Sequence, residues 1–106
     1  MRDEESPRLR MARDLEEVRT IVTCGLRGHR ARIYLFGSRA AAGGGRTSDI
    51  DVGVLPLEPI PRHVFSEIRE ALDQSDVLLP VDLVDLSEAS ESLRGQVMGE
   101  GVAWND

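Results

Sequence analysis

Two short stretches carry residue types that can do chemistry together: Gly37-Ser38 and, after ten intervening residues, Asp49-Ile50-Asp51. On a β-strand, residues i and i+2 project to the same face, so Asp49 and Asp51 are expected side by side, with Ile50 and Val52 turned to the core. Adjacent carboxylates repel one another unless a cation lies between them. Oxygen ligands on a rigid strand suit a hard ion such as Mg²⁺, which keeps water and phosphate oxygens as its other ligands. Gly37 has no Cβ and lets a backbone approach a phosphate. Ser38 offers a hydroxyl and, at a helix start, unpaired N–H groups that favour anions. One stretch would grip a triphosphate and the other its metal, which are the parts that phosphoryl or nucleotidyl transfer requires. A third carboxylate would complete a two-metal site. Asp82 and Asp85 are three positions apart on one strand, so they face opposite sides and only one can join. Asp82, between Val81 and Leu83 in the strand interior, is preferred; Asp85, near the strand end, stays the alternative. Four fixed residues at typical frequencies match by chance at roughly 10⁻⁵ per starting position.

These residues need elements to hold them. Met11, Leu15, Val18 and Val22 form one stripe of a helix over about 8–24, closed by Gly25 and Gly28. Ile33-Tyr34-Leu35-Phe36 reads as a first strand. Residues 38–42 read as a short helix, and Gly43-Gly44-Gly45 as loop. Asp49 to Leu55 alternates as a second strand. Val64, Phe65, Ile68, Ala71 and Leu72 mark another helix, with Pro61 in its first turn. Val81 to Leu86 reads as a third strand. Ser87 is expected to cap a last helix bearing Ala89, Leu93 and Val97 and ending near Gly99 and Gly101. Val102-Ala103-Trp104 reads as an apolar tail docked on the body. The order α-β-α-β-α-β-α predicts an α/β (α+β) fold: a small three-stranded mixed sheet with about four helices.

The 106 residues fit one domain spanning 1–106, with residues 1–7 as a tail. Residues 1–46 hold ten arginines against six acids, and residues 47–106 three against thirteen. The acidic half disfavours broad nucleic-acid binding and is compatible with a metal. The arginines of the first half either meet phosphates or an acidic partner, or solvate the first helix. Without lysine, Schiff-base chemistry and a Walker-type phosphate lysine are excluded. One cysteine, Cys24, allows no internal disulfide, and no apolar run approaches the roughly 18 residues of a membrane span. The charged Met1–Arg10 stretch does not read as a secretion signal. A cytoplasmic protein is expected.

Leu35-Phe36-Gly37-Ser38-Arg39-Ala40, Ser48-Asp49-Ile50-Asp51-Val52 and Val81-Asp82-Leu83-Val84-Asp85-Leu86 together resemble the minimal nucleotidyltransferase (MNT) family of the DNA polymerase β-like superfamily. The resemblance covers most of the chain, to Glu100-Gly101-Val102. It implies a nucleotidyltransferase fold, with Gly37, Ser38 and Arg39 at the nucleotide and Asp49, Asp51 and Asp82 at two Mg²⁺ ions, Asp82 as metal ligand or general base. It further implies ATP as substrate, with AMP transferred to a hydroxyl of a HEPN-domain toxin, this chain being the antitoxin and assembling with that toxin. The family motif usually continues Gly-Ser-Arg-Ala-Arg-Gly; here Ala41 and Ala42 replace the second Arg and the Gly. The lost arginine removes a contact to phosphate or to a neighbouring acid. A module that neutralises its partner by binding, with catalysis weak or absent, is therefore the second reading.

Other residues carry less. Arg39 reads equally as a triphosphate contact or as surface, and Arg46 as solvated loop. His29 and His63 lack metal-ligand spacing. Cys24 is expected to pack at a helix end, and Tyr34 and Trp104 to pack against the core.

Overall fold

The computed structural model describes residues 7–36 and 50–104. Three helices and four strands follow in the order α1 (Pro7–Gly25), β1 (Ala31–Phe36), β2 (Ile50–Pro56), α2 (Arg62–Asp73), β3 (Val81–Asp85), α3 (Glu91–Glu100) and β4 (Val102–Ala103). The sheet order is β3-β2-β1-β4. β1 runs antiparallel to both β2 and β4, and β2 and β3 are parallel, joined by the α2 crossover. The sheet is mixed, as expected, but four-stranded rather than three-stranded. The added strand is the supposed apolar tail: Tyr34 pairs with Ala103 and Leu35 with Val102, and the Trp104 N–H donates to the Ile33 carbonyl at 2.8 Å. Two residues are too few to show a period of two. About four helices were expected and three occur among the described residues; the remaining one, over 38–42, lies outside them. No helix among the described residues is long and apolar enough to cross a membrane.

Alternation divides the strands between two layers. Ile33, Ile50, Val52, Val54 and Leu83 face α1 and α2, where Val18, Val22, Val64, Phe65 and Ile68 complete the main core. Tyr34, Leu86 and Val97 form a second cluster on the opposite face, under α3. Burying each such aliphatic side chain stabilises the fold by about 1.5–3 kcal/mol. The α1 stripe is buried as read: Val18 and Val22 are fully buried, and Met11 and Leu15 pack at the margin. Cys24 does not pack; it is exposed, because it falls off that stripe. Gly25 lets α1 close on α2, since a Cβ there would collide with Ile68. Gly28, at φ +88, makes the left-handed turn that follows.

The last helix starts later than the sequence suggests. Ser90, not Ser87, is the N-cap: its side chain accepts from the Leu93 N–H at 3.1 Å. Ser87 is held in the preceding turn, donating through its N–H and its hydroxyl to Asp85. Both serines are followed directly by a glutamate, Glu88 and Glu91, and only the path of the chain off β3 decides between them. Ser90→Ala is expected to cost about 1 kcal/mol, which lowers the melting temperature by roughly 4–8 °C. Thermal melts of Ser90→Ala and Ser87→Ala check this, and a larger loss at Ser87 would contradict the assignment.

At the other end of α3 the chain reverses into β4 through Gly101. Its N–H donates to the Val97 carbonyl at 2.7 Å. A Cβ on Gly101 would lie 2.6 Å from that backbone oxygen and 3.3 Å from the Leu35 carbonyl, and neither can swing aside as a side chain would. Gly101→Ala is expected to destabilise by about 2–3 kcal/mol and to loosen β4, read as faster amide exchange at Val102 and Trp104, the β4 amides that face β1. Unchanged exchange at both would show that the turn has room to relax.

Candidate active site

Three strand ends meet on one edge of the sheet. Phe36, the last residue of β1, is the register partner of Asp51 on β2, and Asp51 is the register partner of Asp82 on β3. Register partners in neighbouring strands share a face, so Phe36, Asp51 and Asp82 form a row across the sheet, on the face opposite α1 and α2. Neighbouring strands lie roughly 4.8 Å apart, which brings two carboxylates from separate parts of the sequence side by side. Asp51 is only 2% exposed and Asp82 is half-buried. The reason β2 puts an acid there is local: Ile50, Val52 and Val54 claim the core face, leaving the alternate positions Asp51, Gly53 and Leu55 for the other. Gly53 occupies the next position on that face, and Leu86 fills the space beside it.

Asp85 is placed differently. It pairs with Val54, on the face turned toward α1 and α2. Its Oδ1 accepts from the Ser87 N–H at 3.0 Å and from the Ser87 hydroxyl at 2.7 Å. Of the two carboxylates on this strand, the register therefore brings Asp82 beside Asp51 and gives Asp85 to the turn. Gly37, Ser38, Arg39 and Asp49 lie outside the described residues. In the chain, Gly37 follows directly on Phe36 and Asp49 directly precedes Ile50. Among the described residues no group of three or more acid, histidine or cysteine side chains is assembled to hold a metal ion. The pair Asp51 and Asp82 nevertheless suits magnesium by the chemistry of its donors: carboxylate oxygens on rigid strands, one of them so deeply buried that its charge requires donors or a cation around it.

The site depends on residues that carry no obvious chemical signal. Asp14 on α1 is 6% exposed, and its Oδ2 accepts from the Leu78 and Leu79 N–H groups, each at 3.0 Å. It thereby fixes the stretch that delivers the chain into β3 and Asp82. A signal was available, since Asp14 lies three after Met11 and four before Val18, on the buried stripe of α1. Arg69 on α2 donates to the Leu83 carbonyl at 3.0 Å and lines the same groove as Asp82. Arg19 donates to the Trp104 carbonyl at 2.8 Å and ties α1 to the end of β4. His29 is near Glu58 at 3.9 Å and His63 is exposed, both remote from the row by sequence and strand position.

An antiparallel β1–β2 pair is thus extended by a parallel β3, with a buried aspartate on β2 beside another on β3. The chain matches the family model described as polymerase beta, nucleotidyltransferase over residues 29–103, and it belongs to that family. Within it, the chain is similar to the protein adenylyltransferase MntA of Shewanella oneidensis, at 41% identity over 69 residues that cover 65% of this chain and 49% of that protein. It is also similar to the probable protein adenylyltransferase MntA of Haemophilus influenzae, at 32% identity over 62 residues, covering 58% and 54%. The chain thus spans about half the length of these curated relatives. Among solved structures, it resembles a chain of the tri-AMPylated Shewanella oneidensis HEPN toxin in complex with its MNT antitoxin, with TM-score 0.55, 25% identity, and 91% of this chain and 71% of that one covered. A toxin–antitoxin structure with AMP-PNP is similar at TM-score 0.51 and 34% identity, covering 82% and 72%.

Proposed function

We propose that this chain is a magnesium-dependent nucleotidyltransferase that moves AMP from ATP to a hydroxyl of a partner protein, as the antitoxin of a HEPN-type toxin in the cytoplasm. The observation that carries the reading is the pairing of Asp51 with Asp82 in register on one face of the sheet. Support comes from the relatives: two are adenylyltransferases by name, one similar complex contains AMP-PNP, and another contains a tri-AMPylated HEPN toxin. In this reading Asp49, Asp51 and Asp82 hold two Mg²⁺ ions, and Gly37 and Ser38 hold the β- and γ-phosphates, with Arg39 beside them. Bound magnesium supplies concentrated positive charge to the triphosphate. The acceptor oxygen attacks the α-phosphorus, a new O–P bond forms, the bond to the β-phosphate oxygen breaks, and pyrophosphate leaves. Asp82, as base, receives the proton of the acceptor hydroxyl.

The test is incubation of the purified chain with α-labelled ATP, Mg²⁺ and a HEPN-domain partner. Label should appear on a partner hydroxyl, and chelating the magnesium should abolish it. The Ala41-Ala42 departure favours one rival, neutralisation by binding alone. The double variant Asp49→Ala, Asp51→Ala separates the two: neutralisation that survives it shows that blocking is sufficient.

A further inference from the structure

We infer that the outer edge of β3 is the docking site for the acceptor: an extended segment of the partner, laid parallel to β3, with its hydroxyl-bearing residue opposite Asp82. The inference rests on the transfer reading above and names where that reaction takes its second substrate. β3 ends the sheet order, so among the described strands its outer side has no neighbour. The Ile50 N–H donates to the Pro80 carbonyl and the Leu86 N–H to the Val54 carbonyl. Peptide groups alternate along a strand, so residues 80, 82, 84 and 86 turn theirs toward β2, and Val81 and Leu83 turn theirs outward. Arg69 already donates to the Leu83 carbonyl. Beside Asp82 this leaves the Val81 carbonyl and the Leu83 N–H, which bracket it, with the Val81 and Asp85 N–H groups farther along the edge. In a parallel ladder one residue uses that combination: its N–H donates to the carbonyl before its partner, and its carbonyl accepts from the N–H after it. That partner is Asp82. Because register partners share a face, the docked residue's side chain falls on the Asp51–Asp82 face.

The flanking residues of the segment then turn to the other face, where a groove of about 390 Å³ runs between the end of α2 and the start of β3. Leu72, Val77 and Leu79 line it, and Leu78, 67% exposed, stands at its rim. The groove therefore takes apolar residues on either side of the hydroxyl. Its surroundings fix the charge of the partner. Residues 67–85 carry six acids and a single arginine, Arg69, so the segment is lysine- or arginine-bearing beyond its apolar flanks. The opposite edge, β4, has two residues and is separated from Asp82 by the width of the sheet. The apolar groove between α1 and α2 at Cys24 has no acid of the catalytic row near it.

The experiment uses the full chain without ATP or magnesium, so binding is read apart from turnover. The probe is a synthetic peptide of about ten residues, a tyrosine between two leucines with lysines at both ends, long enough to span a five-residue edge strand. At saturation the Leu83 amide should exchange at least roughly tenfold more slowly. Leu78→Glu, at an exposed position, should weaken binding by about tenfold with unchanged melting temperature, and replacing the lysines by glutamates should weaken it at least as much. No binding at millimolar peptide, binding that leaves Leu83 exchange unchanged, or protection at Ala103 instead would overturn the inference. Magnesium-dependent ATP binding, measured separately, reports on the transfer reading. If it is absent while Leu83 is protected, transfer falls and the edge stands as a blocking interface.

Discussion

Asp51→Asn is expected to lower nucleotidyl transfer by about 10³-fold or more, and Asp82→Asn by roughly 10²–10³-fold, with Asp85→Asn within about threefold of the unmodified chain. The ordering follows from position. Asp51 is the buried member of the row and has acids on both sides of it in the proposed site, Asp49 two residues back and Asp82 across the ladder. Asparagine keeps its shape and loses the charge, so metal affinity falls while the strand still packs. Asp82 is half-buried at the edge, where water can replace part of what it offers. Asp85 accepts from Ser87, and an asparagine oxygen accepts the same two hydrogen bonds. Transfer of labelled AMP gives the rates. A second measurement needs no turnover: ligand at about 100 times its Kd stabilises the native state by roughly 2.7 kcal/mol, so Mg²⁺ with ATP should raise the melting temperature of the unmodified chain and of Asp85→Asn, and fail to raise that of Asp51→Asn. Unimpaired transfer by Asp51→Asn, or a dead Asp85→Asn, would remove the row from the chemistry.

The largest loss of stability is expected at Asp14. Asp14→Ala strips the acceptor from two backbone N–H groups, Leu78 and Leu79, in a part-buried loop. Each donor left without a partner costs about 1–3 kcal/mol. Together the loss should reach roughly 2–4 kcal/mol, and at 4–8 °C per kcal/mol for a domain of this size the melting temperature falls by roughly 8–32 °C. Asp14→Asn keeps an oxygen in place and should recover more than half of the difference. The effect reaches the site because Leu79 is two residues ahead of Val81: a freed loop lets the start of β3, and Asp82 with it, lose its register on β2. Amide exchange at residues 77–83 should therefore rise more in Asp14→Ala than exchange across β1. A melt within about 3 °C of the unmodified chain would show that water satisfies both donors.

Elements with a strong local period were legible from the residues alone. The α1 stripe, the apolar run of β1, the alternation of β2 and the amphipathic pattern of α2 each repeat often enough to specify which face is buried. The same pattern places an acid at Asp51 with Ile50 and Val52 on the other face. Its limits show at Asp14, a polar residue inside an apolar stripe whose partners, the Leu78 and Leu79 N–H groups, are more than sixty residues away.

What the chain determined by itself is therefore periodic: which stretches form α1, β1, β2 and α2, and that β2 carries an acid at Asp51 on the face away from its core residues. Folding alone decided that β2 and β3 run parallel with Asp51 opposite Asp82, that the Asp85 carboxylate holds the following turn through Ser87, that Ser90 rather than Ser87 caps α3, and that two residues near the end become a fourth strand. Each of these is set by partners distant in sequence. A hydrogen bond across a sheet has no counterpart in the spacing of side chains along one strand, so register appears only when the crossover helix has packed and brought the strands together.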